Sequence, residues 1–303
     1  MAESCHEQAT LASTTHRGSV SGRMTTVRVM TWNLQGRVGQ WEARHHAIEA
    51  VLGGANPDVV MLQESWVEPE GATQAHLLAE HLGLFAVTAS QLAGFDRYPQ
   101  APYWVVNAIL TRWPSHILRA VPLNDENGVS TWRHALIVSV DRPDEEGGRF
   151  LAVGTHLEHG LDRMLTRSAQ MSHLIAEVSS AISPIGEWRD ELPAVVAGDF
   201  NAVPWSDEIR RATGSSMPFT PGFVLVDAWE ACRNTERGDT WSSANPLVPR
   251  HAVYPNRRLD YVTTTFPRRR NCGSFQSCEL TGTEAIDGIQ PSDHYAVIAE
   301  VQL

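Results

Sequence analysis

The sequence predicts an α+β fold in which two β-sheets pack face to face and helices cover their outer faces. Three observations lead there. From Val27 onward, about ten short runs of β-forming residues alternate with longer mixed segments. Most of those runs are apolar enough to be covered on both sides. Some are followed by helical patterns while others follow one another closely, which favours two layers of strands over one flat sheet.

The elements follow in order. "VRVMTWN" (27–33) alternates in strand fashion. "WEARHHAIEAVLGG" (41–54) places Trp41, His45, Ile48 and Leu52 at helical spacing, and Gly53-Gly54 closes it. "PDVVMLQE" (57–64) is a short apolar strand ending in a carboxylate. "ATQAHLLAEHLG" (72–83) reads as a helix with a C-terminal glycine. "YWVVNAILT" (103–111), "HALIVSV" (134–140) and "RFLAVGTHL" (149–157) read as strands. The longest helical pattern, 160–182, sets Leu161, Leu165, Met171, Leu174, Ile175 and Val178 on one broad face. Strands are expected again at 194–199, 223–228, 258–264 and 294–302. No long polar linker divides residues 27–303, so they form one expected domain after a flexible tail at 1–26. Met24 stands just before the first strand, where a start would fit.

Composition narrows the function. The chain has 303 residues, 42% apolar and 19% charged, as expected of a soluble globular protein. No run is long and apolar enough for a membrane helix, and residues 1–23 lack the apolar stretch of a secretory signal. All 24 basic residues are arginine, which excludes a P-loop lysine, a Schiff-base lysine and a ligase-type lysine. The Arg, Ala and Gly bias points to a bacterial source. A net charge of −11 disfavours a nucleic-acid partner held chiefly through its phosphates. Arg268-Arg269-Arg270 reads as a solvated loop. Of the four cysteines, Cys272 and Cys278 flank a glycine that would let a hairpin-like loop bring them together; free thiols in a reducing cytoplasm are the plainer reading.

Six runs carry polar groups at their ends: Asn33, Glu64, His156, Asp199 with Asn201, Asp260 in "RRLDYV", and Asp293-His294, which opens the last strand. Any one could merely cap a turn. Together they form an inventory of oxygen ligands and two histidines that suits Mg²⁺ or Mn²⁺ and phosphate chemistry. Glu64, with Asn33 or Asp293 nearby, is a hard-cation site. His294 would act on water if Asp260 orients its ring.

"MTWNLQG", "MLQES", "NAILTRWP", "GTHLEHG", "VVAGDFNAVP", "RRLDYV" and "SDHYAV", in this order, resemble the endonuclease/exonuclease/phosphatase superfamily, with its DNase I-like nucleases, abasic-site endonucleases, neutral sphingomyelinases and inositol polyphosphate phosphatases. The resemblance spans 27–303 and implies a four-layer αββα sandwich and Mg²⁺-dependent hydrolysis of phosphate esters. It implies that Asn33 and Glu64 hold the metal with Asp293 close by. His294, paired with Asp260, would be the base or a phosphate contact. Asp199 would orient water or assist the leaving oxygen, Asn201 would donate to a phosphoryl oxygen, and His156 would stabilise the transition state. "GTHLEH" resembles the sphingomyelinase and DNase I side more than the abasic-site enzymes. The expected substrate is a small-molecule, lipid head-group or nucleotide phosphate, with a nuclease as the alternative. Asn107 could reach the site or brace its strand. Arg133 could contact phosphate or lie on the surface. Trp32, Trp66 and Trp205, near the polar ends, could line a pocket or simply pack.

Overall fold

The computed structural model describes residues 25–91, 104–182, 193–253, 256–266 and 272–303. Among them run twelve strands, in two six-stranded mixed sheets. The first sheet has the order β11-β12-β1-β2-β4-β3, formed by Phe275–Thr281, Ala296–Gln302, Thr26–Asn33, Val59–Val67, Trp104–Thr111 and Phe85–Thr88. The second has the order β5-β6-β7-β8-β10-β9, formed by Ser115–Asn124, Ser130–Val140, Phe150–His156, Ala194–Asp199, Asp260–Thr265 and Leu225–Asp227. Pairs β1/β2 and β7/β8 are parallel; the other strand pairs are antiparallel.

Three apolar clusters define the layers. Val29, Met61, Ile109, Val138, Ala152, Val195 and Val262 fill the space between the sheets. Ile48 and Leu52 of α1 (Trp41–Ala55) and Leu78 of α2 (Gln74–Leu82) cover the outer face of the first sheet, against Met30, Trp32 and Leu62. Met171, Leu174, Ile175 and Val178 of α3 (Met164–Ile182) cover the second, against Leu151, Val153 and Val196. Strand alternation produces both faces at once: odd residues of β1 and β8 face the middle, even residues face a helix layer. The result is the expected four-layer αββα sandwich.

Local chemistry sets the element ends. Thr73 caps α2 by accepting from His76 N at 3.0 Å, and Gly83 leaves it in the left-handed conformation at φ 67°. The structure also departs from the sequence expectations. Helix α3 begins at Met164, so Leu161 lies outside it, and Leu165 is exposed. Two short helices, α4 (Asp207–Ala212) and α5 (Ala228–Ala231), and strands β3, β5 and β11 lack a clear periodic signal. The strand expected over 223–228 shrinks to Leu225–Asp227, because Asp227 turns the chain by capping Trp229 N at 3.0 Å. Asp293 and His294 precede β12 instead of opening it. Among the described residues, Cys232 and Cys278 form no disulfide. Arg268–Arg270, Met24 and the tail before Thr25 lie outside the described residues.

Candidate active site

The alternation that builds the inter-sheet core also builds the site. Val29 and Asn33 share a face of β1, Ala152 and His156 share a face of β7, and Ala197 and Asp199 share a face of β8. On β10, Asp260 shares the core-directed face of Val262. At one end of the sandwich the apolar residues stop and polar ones continue the same rows. Register places them side by side: His156 pairs with Asp199, Asp199 with Asp260, and Asn33 with Gln63. Phe200 turns the other way and stacks on Tyr261 at 5.0 Å in the outer core, so Asp199 and Asn201 emerge together on the site side.

Glu64 arrives by a different device. It lies within β2, where the register with β4 shifts between Leu62 and Ser65. Its φ of 52° marks the bulge that turns its carboxyl into the site. Gly198 answers another steric demand: a Cβ there would collide with the Thr155 carbonyl oxygen of β7. The glycine permits close strand packing beneath Asp199 and His156, and not approach to the catalytic side chains themselves.

A hydrogen-bonded network joins the predicted residues. Asn33 Nδ2 donates to Glu64 Oε1 at 3.2 Å and to Asp199 Oδ2 at 3.1 Å, while its Oδ1 accepts from Gln35 N at 3.0 Å. Asp199 Oδ1 accepts from Asn201 N at 2.9 Å, and Asn201 Nδ2 donates to Leu157 O at 3.0 Å. His156 Nε2 lies 3.4 Å and His294 Nε2 3.9 Å from Asp199 Oδ2. His294 Nδ1 donates to Asp260 Oδ2 at 2.8 Å. Ser292 Oγ donates to Asn33 O at 2.6 Å and so ties the segment before β12 to the end of β1. Asp293 is half-buried beside this segment.

The electrostatics follow from burial. Burial and the neighbouring Asp260 push the Asp199 carboxyl up to about 7, against the opposing pull of His294. Burial alone would lower His294, but Asp260 and Asp199 outweigh it and hold its pKa well above the ordinary value. His156 goes the other way: burial, with Arg133 and His294, holds it well below. The same burial thus leaves the two histidines shifted in opposite directions, His294 upward and His156 downward. Burial, and then Asp293, raises the Glu64 carboxyl.

That last shift bears on a metal. Asp199, Asp260 and His294 place one ligand-type atom each within 4.8 Å of one another. His294, however, commits Nδ1 to Asp260, and both carboxylates raise its affinity for a proton, which makes that trio a poor cation site. Glu64 and Asp293 offer hard carboxylate oxygens that repel each other, a pair that fits a divalent cation, and the Asn33 amide adds an oxygen to it only by turning over, since its Nδ2 faces Glu64 and its Oδ1 accepts from Gln35 N.

A cavity of about 580 Å³ opens over this network. Arg133, Trp132, His159, Trp241 and Arg257 line it, together with Asn33, Glu64, His156, Asp199, Asn201 and His294. Arg133 is buried, with its guanidinium 3.7 Å from the Trp132 ring centroid, and so is not a surface charge. Asn107 Nδ2 donates to His134 O at 3.0 Å, bracing one sheet against the other. Of the two readings open for the tryptophans, packing holds for Trp32 and Trp66: Trp32 is core, with Nε1 donating to His294 O at 2.9 Å, and Trp66 packs on Trp41; Trp205 is exposed and does not line the cavity. Trp132 carried only the signal of adjoining Arg133, and Trp241 carried none.

Solved structures share this architecture. The chain is similar to truncated Caenorhabditis elegans TDP2, at 21% identity and a TM-score of 0.66, covering 92% of this chain and 98% of that one. It is similar to a Bacteroides vulgatus endonuclease/exonuclease/phosphatase at 22% identity and a TM-score of 0.64, covering 92% and 99%. It is also similar to D. rerio TDP2 complexed with single strand DNA product, at 18% identity and a TM-score of 0.64, covering 91% and 98%. No curated protein matches the sequence. The sequence model of the endonuclease/exonuclease/phosphatase family matches residues 30–294. With that match spanning the whole site, the chain belongs to the endonuclease/exonuclease/phosphatase family, whose members hydrolyse phosphoric esters and generally use divalent metal ions.

Proposed function

We propose that the protein is a Mg²⁺-dependent phosphodiesterase acting on a small organic phosphate, with Mn²⁺ able to replace Mg²⁺. The observation that carries this reading is the setting of Asp199: a buried carboxyl whose Oδ2 accepts from Asn33 Nδ2 at 3.1 Å and lies 3.4 Å from His156 Nε2 and 3.9 Å from His294 Nε2, with burial and Asp260 pushing it up to about 7. Glu64, Asp293 and Asn33 would hold the metal, which supplies charge neutralisation at the phosphoryl oxygens. Asp199, ionised, accepts the proton of the attacking water. His294, kept charged by Asp260, donates to a phosphoryl oxygen, the phosphate-contact role among the two its sequence position allowed. His156 and Asn201, which flank Asp199, would contact the same phosphate.

Metal-supplemented hydrolysis of bis(p-nitrophenyl) phosphate tests the proposal. Activity should vanish with EDTA and return with Mg²⁺. Asp199→Ala and His294→Ala should each lower kcat by about 10²-fold or more. Activity that survives chelation, or survives in both variants, refutes it. Single-stranded nucleic acid is the second reading, because a D. rerio TDP2 of this fold holds a single strand DNA product. The net charge of −11 weighs against a long phosphate track, and an oligonucleotide arm in the same assay decides. Among the described residues no helix is long and apolar enough to cross a membrane.

A further inference from the structure

Glu64 sits in a backbone form that a strand does not adopt unaided. Its φ of 52° is left-handed, and the loop that faces it carries Gln35 at φ 57° and Gly36 at φ 46°. Glu64 and Gln35 are not glycines, so both hold strain that only their surroundings can maintain. The two segments meet through the backbone: Leu34 N donates to Gln63 O at 2.9 Å and Gly36 N donates to Glu64 O at 3.1 Å. A second fastening runs through side chains, and it centres on Arg37.

Arg37 stands four residues after Asn33, and Glu68 stands four residues after Glu64. The Arg37 Cζ lies 4.3 Å from the Trp41 ring centroid and 4.2 Å from that of Trp66. The two indoles meet edge to face, 5.8 Å apart at 76°, and the guanidinium packs against both. Arg37 Nη2 also pairs with Glu68 Oε1. Trp66 lies on β2 just past the bulge and is 4% exposed, while Trp41 opens α1. One guanidinium therefore joins the loop after Asn33, the start of α1 and the end of β2. Arginine suits this place, because its planar face stacks while its edge pairs with a carboxylate.

We propose that Arg37 is a positioning residue: clamped by Trp41, Trp66 and Glu68, it holds Glu64 in its bulged geometry and so sets the affinity for a divalent cation. The inference rests on the reading above that Glu64 and Asp293 hold the metal, and it adds what keeps that site ready. Arg37 does not line the cavity, whereas its neighbours Gln35, Gly36 and Val38 do, so it acts through Glu64. After the bulge, the register of β2 with β4 resumes at Ser65–Val106 and Trp66–Val105. Loosening Trp66 loosens the pairing that keeps the extra residue in place. The Glu64 carboxyl then spreads over several orientations, and a cation must order it on binding.

The test measures Mn²⁺ binding to the full chain from the EPR signal of the free ion, which needs no turnover. Arg37→Ala should raise the Mn²⁺ Kd about tenfold or more, and Arg37→Lys should recover only part of that loss. Trp66→Leu, which keeps apolar bulk without an indole face, should match Arg37→Ala. The two substitutions together should stay within about threefold of either alone, because both remove one clamp. Arg112→Ala is the control for general loosening: it removes the ion pair with Asp58 at the opposite end of β2 and β4 and should leave Kd within about twofold. A Kd unmoved by Arg37→Ala, moved equally by Arg112→Ala, or multiplied in the double variant overturns the clamp and leaves the metal reading intact. Wild-type protein that binds no Mn²⁺, or binds it as tightly after Glu64→Gln, overturns the metal reading at Glu64 and the clamp's role with it.

Discussion

Asp260 lies at the start of β10 with its Oδ2 on His294, and among the charges that raise His294 it acts most strongly. Asp260→Asn should bring the His294 imidazole down from its raised pKa, read by NMR titration of the metal-free protein, and lower kcat by about 10²-fold or more. An unmoved titration would separate Asp260 from the histidine's charge. His134 makes the opposite case beneath the cavity: burial, offset in part by its contact with Trp132 O, pushes it down to about 4. An unfolded histidine binds its proton near 6.5, so between 6.5 and about 4 the unfolded chain holds more protons than the fold. Stability should fall on acidification through that window and lose nothing further from His134 below it. His134→Gln should remove up to about 3 kcal/mol of that loss, measured by urea midpoints at pH 7 and pH 4. Equal losses in both proteins would contradict the assignment. Asn33, Glu64, Asp199 and Asp260 were readable as polar ends of apolar runs. Trp241 was not, because nothing near it in sequence joins it to His294.

Elements carry these residues through loops that need their own fastening. Arg44 of α1 is buried and donates to the carbonyls of Leu34 at 2.9 Å, Gly36 at 2.8 Å and Pro291 at 2.9 Å, with longer bonds to Gln35 and Val38. It binds the loop after Asn33 to the segment before Asp293-His294. Arg44→Leu should cost about 3 kcal/mol or more of stability, and Arg44→Lys, with fewer donors in a less rigid array, should recover part of it. Thermal melts of both variants check the order. Gly198→Ala should separate β7 from β8, because its Cβ would meet the Thr155 carbonyl; a destabilisation of about 2 kcal/mol or more is expected by denaturant titration. An unchanged midpoint would mean the backbone yields more easily than this packing allows. The helix α1 showed its buried face at Ile48 and Leu52, but its buried Arg44 breaks the apolar pattern and so gave no sign of its role. The Glu64 bulge was equally hidden: a run of β-formers reads the same whether or not one residue is extra.

Across the whole molecule, the first and last strands close the first sheet's layer together. Thr25 N donates to Leu303 O at 3.4 Å and Leu303 N to Thr25 O at 3.2 Å, and β1 pairs with β12 along its length. We therefore propose the domain boundary at Thr25, two residues before the sequence-expected one. A chain beginning at Met24 should match the full protein in Tm and in diester hydrolysis, whereas one beginning at Val29 should lose Tm by losing part of the β1–β12 ladder. A lower Tm on removal of residues 1–23 alone would move the boundary. Period and composition determined much by themselves: about ten strands, the three long helices, the mixed order, and a set of polar ends of one chemical kind. Those are local properties, written in residues two or four apart. Tertiary structure alone decided which strands became neighbours, and hence that His156, Asp199 and Asp260 stand in one row across three strands. It alone placed Trp241 against His294, and it alone set the protonation of Asp199 and His294, because burial and charge proximity depend on packing between residues far apart in the chain.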